Sequence, residues 1–123
     1  MSDAATPADD VFARLSATLA GRRNADPASS YTAKLYAHGP DSILKKIGEE
    51  SAELIVASKD GQRDSIVHEA ADVIFHVMAL LAFHDLSIDD VRRELARREG
   101  VSGIEEKQAR PHGGPRPNLR GTA

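Results

Sequence analysis

Apolar residues recur along this chain at the three- and four-residue spacing of helices, and no segment shows the strict alternation of a half-buried strand. A threonine before Pro7 is a favourable helix start, and Gly21 is a plausible helix end. The spacing predicts five helical segments, at about residues 7–21, 30–38, 40–59, 62–84 and 87–98. The sequence therefore predicts an all-α protein.

The two longest predicted helices have apolar faces of different width. On the first, the apolar residues form a single face: Ile43, Leu44, Ile47, Leu54 and Ile55. On the second they cover a broad arc: Ile66, Val67, Ala70, Val73, Ile74, Val77, Met78, Leu80 and Leu81. The short turn at Asp60-Gly61 predicts antiparallel neighbours. An arc this broad indicates burial on more than one side, so we expect an antiparallel helical bundle completed by homodimerisation.

The two ends of the chain differ in composition from the middle. Residues 111–123, PHGGPRPNLRGTA, hold three of the six prolines and three of the nine glycines. Such a segment does not build helix or core. We therefore predict one all-α domain over residues 8–110 and a flexible Pro/Gly-rich tail over 111–123.

Composition and charge remove several classes of function. The absence of cysteine excludes disulfides and thiolate metal sites and favours a reducing cytoplasm. No uninterrupted apolar run approaches the roughly 20 residues of a membrane span, and the N-terminus does not resemble a signal peptide. A formal net charge of −3 argues against binding nucleic acid through bulk charge, but it permits a small anionic ligand.

Acidic residues lie beside the apolar face on both long helices. Glu50 and Glu53 form an E-x-x-E pattern on the first helix, and Glu69 and Asp72 form E-x-x-D on the second. Four carboxylates brought together would repel one another, and a hard divalent cation removes that conflict. Mg²⁺ takes oxygen ligands and commonly bridges protein carboxylates to phosphate oxygens. We therefore expect a magnesium site, with one or two ions, that cuts a phosphoanhydride bond.

A simpler interpretation stays open for these acids. Charged residues on helices are mostly solvated, with lysine partners four residues away. Here such pairs would join Lys45 to Glu49 and Lys46 to Glu50.

Histidines and basic residues add weaker signals. His68, His76 and His84 are eight residues apart and do not form one ligand face, so zinc is disfavoured. His76 shares the acidic face and is a candidate phosphate contact, although a structural hydrogen bond explains it equally well. The other candidate phosphate contacts are Lys34, Lys45, Lys46, Lys107 and Arg110.

Four motifs together resemble a known family. They are SYTAKLY at 30–36, ILKKIGEESAE at 43–53, EAADVIFH at 69–76 and REGVSGIEEK at 98–107. They resemble the phosphoribosyl-ATP pyrophosphatases of histidine biosynthesis over residues 10–110. The E-x-x-E … E-x-x-D pattern alone is shared with the wider superfamily of MazG-like all-α pyrophosphohydrolases.

The resemblance implies a specific reaction. The family hydrolyses 1-(5-phosphoribosyl)-ATP to 1-(5-phosphoribosyl)-AMP and pyrophosphate with Mg²⁺, the second step of L-histidine biosynthesis. The four acids named above match its metal-binding and catalytic positions, and Glu49 lies in the same motif as a further candidate ligand. Lys34, Lys45 and Lys46 match basic positions near the phosphates. The family is dimeric, and a chain this short without cysteine resembles its stand-alone form.

Two alternative functions fit the sequence as well. The first is a related house-cleaning enzyme that hydrolyses non-canonical or deoxynucleoside triphosphates. The second is a non-catalytic helical dimer that serves as a binding module and whose acidic strip is only a solvated face.

Overall fold

A computed structural model of the chain describes residues 11–28, 30–100 and 107–108. Within these residues the protein is all-helical, as the sequence predicts. The helices are α1 (Val11–Gly21), α2 (Tyr31–Ala37), α3 (Pro40–Asp60), α4 (Arg63–Phe83) and α5 (Ile88–Arg98), with a short 3₁₀ helix at Arg22–Asn24 after α1.

The helix ends are set by local residues that the sequence makes recognisable. The Ser30 hydroxyl accepts a hydrogen bond from the Ala33 amide at 3.2 Å, which caps the start of α2. Gly61 ends α3 in the left-handed conformation, with φ of 72°. Its amide donates to the carbonyl oxygens of Ala57 and Ser58, so the backbone groups at the end of α3 are satisfied within two residues of the start of α4.

The core joins the first four helices. Its two fully buried large side chains are Leu19 on α1 and Ile43 on α3. The remaining buried members of the cluster come from α2 and α4: Leu35, Tyr36, Met78, Ala79 and Ala82. Among the described elements, α3 and α4 pack against each other most extensively. This is the neighbour relation that the short turn predicts, and it brings the two acidic patterns together.

Part of the predicted apolar surface is not covered by this chain. On α3, Leu44 is half exposed and Ile55 is 64% exposed. On α4, Val67 is 69% exposed and Ile74 is 41% exposed. These side chains are not covered within the single chain, and their burial against a second subunit stays a prediction. Residues 44 and 55 are three helical turns apart, and residues 67 and 74 are two turns apart, so each helix carries an uncovered apolar line.

The end of α4 is fixed by an arginine that follows α1. Arg23 Nη1 donates to the Ala82 carbonyl oxygen at 2.9 Å and also pairs with the Asp85 carboxylate. Its guanidinium lies 5.8 Å from the centre of the Phe83 ring. This contact ties the connection between α1 and α2 to the C-terminal end of α4.

The chain divides into two compact units, one ending at Ile88 and one beginning at Asp89. The second unit contains most of α5, where Glu94 accepts hydrogen bonds from Arg97 and Arg98. These bonds lower the pKa of Glu94 to about 2. Leu95 in α5 is 56% exposed. The predicted helix start at Thr6-Pro7, the domain limits at 8 and 110 and the tail at 111–123 lie outside the described residues.

Helix α4 is also long and apolar enough to cross a membrane, by length and composition only. A single such helix is weak support for a membrane span, because the core helix of a globular protein passes the same test. The expectation that this chain does not interact with a membrane stays a prediction.

Candidate functional site

Three of the four predicted acids meet where α3 and α4 face each other. One carboxylate oxygen from each of Glu50, Glu53 and Glu69 can be chosen so that all three lie within 4.8 Å of one another. Glu50 is only 9% exposed, Glu69 is half-buried and Glu53 is exposed. The packing of the two helices therefore forms a carboxylate cluster that is buried at one end and open to solvent at the other.

Two oxygens in this cluster are buried without a hydrogen-bond partner among the described residues: Glu50 Oε1 and Glu69 Oε1. The pKa of Glu50 is raised from 4.5 to about 7, first by burial and then by the neighbouring carboxylates Asp72, Glu69 and Glu53, of which Glu69 accepts a hydrogen bond from the protonated form. Unpaired buried oxygens carry a large desolvation cost. Oxygen ligands left free in this way are suited to a divalent cation.

The fourth acid, Asp72, lies on the same helix as Glu69 and has a histidine beside it. His68 Nε2 lies 3.3 Å from Asp72 Oδ2. His68, Glu69 and Asp72 form a second group whose candidate ligand atoms all lie within 4.8 Å of one another. The eight-residue spacing of His68, His76 and His84 indicates that they do not share one ligand face, so this spacing does not identify His68 as a ligand. The H-x-x-x-D spacing from 68 to 72 is the signal that could have identified it, since residues four apart on a helix are neighbours.

His76 is buried and makes two hydrogen bonds. Its Nδ1 lies 3.0 Å from the Asp72 carbonyl oxygen, and its Nε2 lies 2.9 Å from the Tyr31 hydroxyl. Because a carbonyl only accepts, we assign the proton to Nδ1, and the Tyr31 hydroxyl then donates to Nε2. Both ring nitrogens are therefore engaged in structural bonds. Tyr31 belongs to the SYTAKLY motif but was not a predicted site residue, and its bond connects α2 to the helix that carries Glu69 and Asp72.

The predicted basic residues are distributed around the molecule. Lys46 lies 3.9 Å from Glu49 rather than pairing with Glu50, and Glu49 is exposed. Lys45 is exposed. Lys34 lines a separate open cleft of about 310 Å³ together with Ser30 and Tyr31. Among the described residues, no lysine or arginine pairs with Glu50, Glu53 or Glu69, so a metal ion would meet no competing protein cation there.

The two remaining basic candidates lie near the C-terminus. Lys107 is exposed and helical in the short described stretch 107–108. Arg110 lies outside the described residues.

An open cleft borders the acidic cluster at the end nearest the α3–α4 turn. Its volume is about 300 Å³, and both Glu53 and Glu69 line it. The other lining residues are Val56, Ala57, Asp60, Gln62 and Ser65. A cation held by the carboxylates would therefore be accessible to a ligand of moderate size that enters from solvent.

The fold and the site define an all-α protein whose two longest helices present a carboxylate cluster able to hold a metal ion beside an open cleft. Residues 12–99 match the family described as phosphoribosyl-ATP pyrophosphohydrolase. The chain belongs to this family and is an enzyme of its hydrolase class, and its all-α fold fits the wider MazG-like superfamily.

Several relatives carry the name phosphoribosyl-ATP pyrophosphatase. One from Dechloromonas aromatica is 66% identical over 101 residues, which cover 82% of this chain and 94% of the relative. One from Bordetella parapertussis is 53% identical over 109 residues, covering 86% and 95%. One from Nitrosospira multiformis is 55% identical over 104 residues, covering 85% and 86%. The similarity therefore extends over nearly the whole length of each relative.

Proposed function

We propose that this enzyme hydrolyses 1-(5-phosphoribosyl)-ATP to 1-(5-phosphoribosyl)-AMP and pyrophosphate in the second step of L-histidine biosynthesis. The observation that carries the proposal is the pair of buried, unpartnered carboxylate oxygens of Glu50 and Glu69 beside an open cleft. The names of the relatives supply the substrate. The house-cleaning alternative shares the same acidic pattern but finds no support in those names.

Mg²⁺ is the proposed cofactor, held by Glu50, Glu53, Glu69 and Asp72. When bound, it polarises a phosphoryl group and lowers the pKa of bound water. Within the chain, Glu50 and Glu69 would hold the cation with their buried carboxylate oxygens. Glu53, which is exposed and lines the cleft, is placed to orient water or substrate from the solvent side.

The substrate carries many negative charges, so the enzyme needs cations besides the metal. We propose Lys34, Lys45, Lys46, Lys107 and Arg110 as phosphate contacts. Lys34 has the clearest structural support, because it lines an open cleft at the start of α2. Tyr31 lines the same cleft and is hydrogen-bonded to His76 on α4, the helix that carries Glu69 and Asp72. We propose that His76 helps to position Asp72. We propose that Glu49 supports the metal site at its edge.

We further propose that the enzyme is a cytoplasmic homodimer, with its catalytic domain at 8–110 and a flexible tail at 111–123. The uncovered apolar lines on α3 and α4 support the dimer, since exposed apolar surface of this kind marks protein contacts.

Sedimentation should give a mass twice that of the 13.2 kDa chain. Val67→Asp should shift the population toward monomer, whereas Leu86→Asp, an exposed leucine beyond the end of α4, should not. A monomeric native protein would refute the dimer.

A substrate panel tests the proposed reaction. Purified protein is incubated with phosphoribosyl-ATP, ATP, dUTP and an oxidised nucleoside triphosphate, each with Mg²⁺ or with a chelator, and pyrophosphate is measured. We expect Mg²⁺-dependent release with phosphoribosyl-ATP as the preferred substrate. Preference for the triphosphates would support the house-cleaning activity instead. No release from any substrate by folded protein would support the non-catalytic binding module.

A further inference from the structure

We propose that His68 is a nitrogen ligand in the metal site, and that it gives the site a higher affinity for a divalent transition ion such as Mn²⁺ than for Mg²⁺. This inference rests on the metal-dependent function proposed above, but it concerns a residue outside the E-x-x-E and E-x-x-D patterns. It also predicts a property of the site, its choice of ion, that those patterns do not specify.

His68 lies beside Asp72 at nearly the distance that two ligands of one metal ion require. His68 and Asp72 are one turn apart on α4, and Nε2 lies 3.3 Å from Oδ2. Two ligands about 2.1 Å from an octahedral ion and at right angles to each other are about 3 Å apart. The imidazole nitrogen and the carboxylate oxygen are therefore separated by nearly the distance that adjacent ligands of one ion require. Glu69 offers a third atom within 4.8 Å of both.

A histidine beside two acids on a helix surface is not a metal site by itself. The second observation is Glu50, which is about nine-tenths buried and has an oxygen without a hydrogen-bond partner among the described residues. Glu50 lies within 4.8 Å of Glu69 through their candidate ligand atoms, and Glu69 belongs to both ligand groups. The ligand group that contains the buried Glu50 and the ligand group that contains His68 therefore share the carboxylate of Glu69.

The chemistry of the ligand set decides which ions benefit. Mg²⁺ binds oxygen almost exclusively and loses its waters reluctantly. First-row transition ions accept both carboxylate and imidazole ligands. The His68 side chain is 70% exposed, so its ring is free to adjust by the few tenths of an ångström that coordination needs. A mixed nitrogen and oxygen site should therefore favour Mn²⁺, while the carboxylates alone still hold Mg²⁺.

Mn²⁺ is the probe for the test, because it is paramagnetic and reports nuclei that are bound to it. The native protein is loaded with one equivalent of Mn²⁺, and electron spin echo envelope modulation is recorded. We expect modulation from one directly coordinated imidazole ¹⁴N. The Kd values for Mn²⁺ and Mg²⁺ are measured in parallel, the first by electron paramagnetic resonance of free Mn²⁺ and the second by competition.

His68→Gln removes the imidazole and keeps a side chain of high helix propensity at an exposed position. We expect the ¹⁴N modulation to disappear and the Kd for Mn²⁺ to rise about 10-fold or more. The Kd for Mg²⁺ should change less than about 3-fold, because Mg²⁺ does not use the nitrogen. His84→Gln is the matched control, since His84 is an exposed histidine at the other end of α4. This control should leave the modulation and both Kd values unchanged.

Several results would overturn the inference. The first is the absence of ¹⁴N modulation in the native protein. The second is ¹⁴N modulation that persists in the His68→Gln variant, and the third is an equal loss of affinity for Mn²⁺ and Mg²⁺ in that variant. The first of these would leave His68 as a surface contact of Asp72. Mg²⁺-dependent turnover without nitrogen coordination would refute only the role of His68. Nitrogen coordination without pyrophosphate release from any substrate would instead refute the proposed function.

Discussion

Removal of the charge at Glu50 should make the metal-free protein more stable while weakening its metal site. Glu50 as a residue is 9% exposed, and burial together with three neighbouring carboxylates disfavours the charged form of its side chain. Its pKa in the folded protein is about 7, against 4.5 for the free group. Below pH 4.5 the group is protonated in both the folded and the unfolded chain. As the pH rises toward 7 and above, the unfolded chain releases this proton first, so the folded state loses stability.

The structure sets the size of this effect. A pKa difference between 4.5 and about 7 corresponds to on the order of 3 kcal/mol at alkaline pH. Water reaches the cluster on the side of the exposed Glu53 and screens part of the repulsion. We therefore expect Glu50→Gln to raise the free energy of unfolding at pH 8 by about 1–2 kcal/mol, and to change it little at pH 4.5.

The assay is urea unfolding of the native protein and the variant at pH 4.5 and pH 8, with a chelator and at one fixed protein concentration. Glu49→Gln is the matched control, because Glu49 is the neighbouring residue but is exposed and paired with Lys46. Addition of Mg²⁺ should raise the free energy of unfolding of the native protein more than that of the Glu50→Gln variant. A variant that is less stable than the native protein at pH 8, or equally dependent on pH, would refute the reasoning.

Two further predictions concern contacts that hold the site in place. Arg23→Ala should lower the free energy of unfolding by about 1–2 kcal/mol, because Arg23 donates a hydrogen bond to the Ala82 carbonyl oxygen. Arg22→Ala, which changes an exposed arginine, should have little effect in the same urea titration. Equal effects of the two substitutions would contradict this role of Arg23. Tyr31→Phe should cost about 0.5–1.5 kcal/mol through its lost bond to the buried His76, and an unchanged unfolding midpoint would show that this bond contributes nothing.

The helices could be predicted from the sequence because their signals are local. The serine cap of α2, the glycine that ends α3 and the apolar spacing of α4 each act within a few residues. The structure places the ends of α2, α3, α4 and α5 within about one residue of the predicted positions. The proximity of Glu50, Glu53 and Glu69 followed from one further step. A short turn makes its two helices neighbours, so their acidic patterns face each other.

Other features depend on contacts that the pattern of one chain does not contain. Ile55 and Val67 belong to apolar helix faces, yet both are exposed in the single chain. Helical spacing of apolar residues identifies the face of a helix that is covered, but it does not identify the partner that covers it. The bond from Tyr31 to His76 joins residues 45 positions apart, and no local rule predicts it. The contact between His68 and Asp72 does have a local signal, because residues four apart lie on adjacent turns of one helix. The eight-residue spacing of the histidines does not contain that signal.

The most direct test of the carboxylate site is the rate of pyrophosphate release from phosphoribosyl-ATP by the native enzyme and by Glu53→Gln, both with saturating Mg²⁺. Glu53 is exposed, so this substitution should leave the unfolding midpoint nearly unchanged. We predict Mg²⁺-dependent release by the native enzyme and a loss of about 100-fold or more in the variant. Equal rates, or release that continues when a chelator removes all divalent ions, would contradict the account.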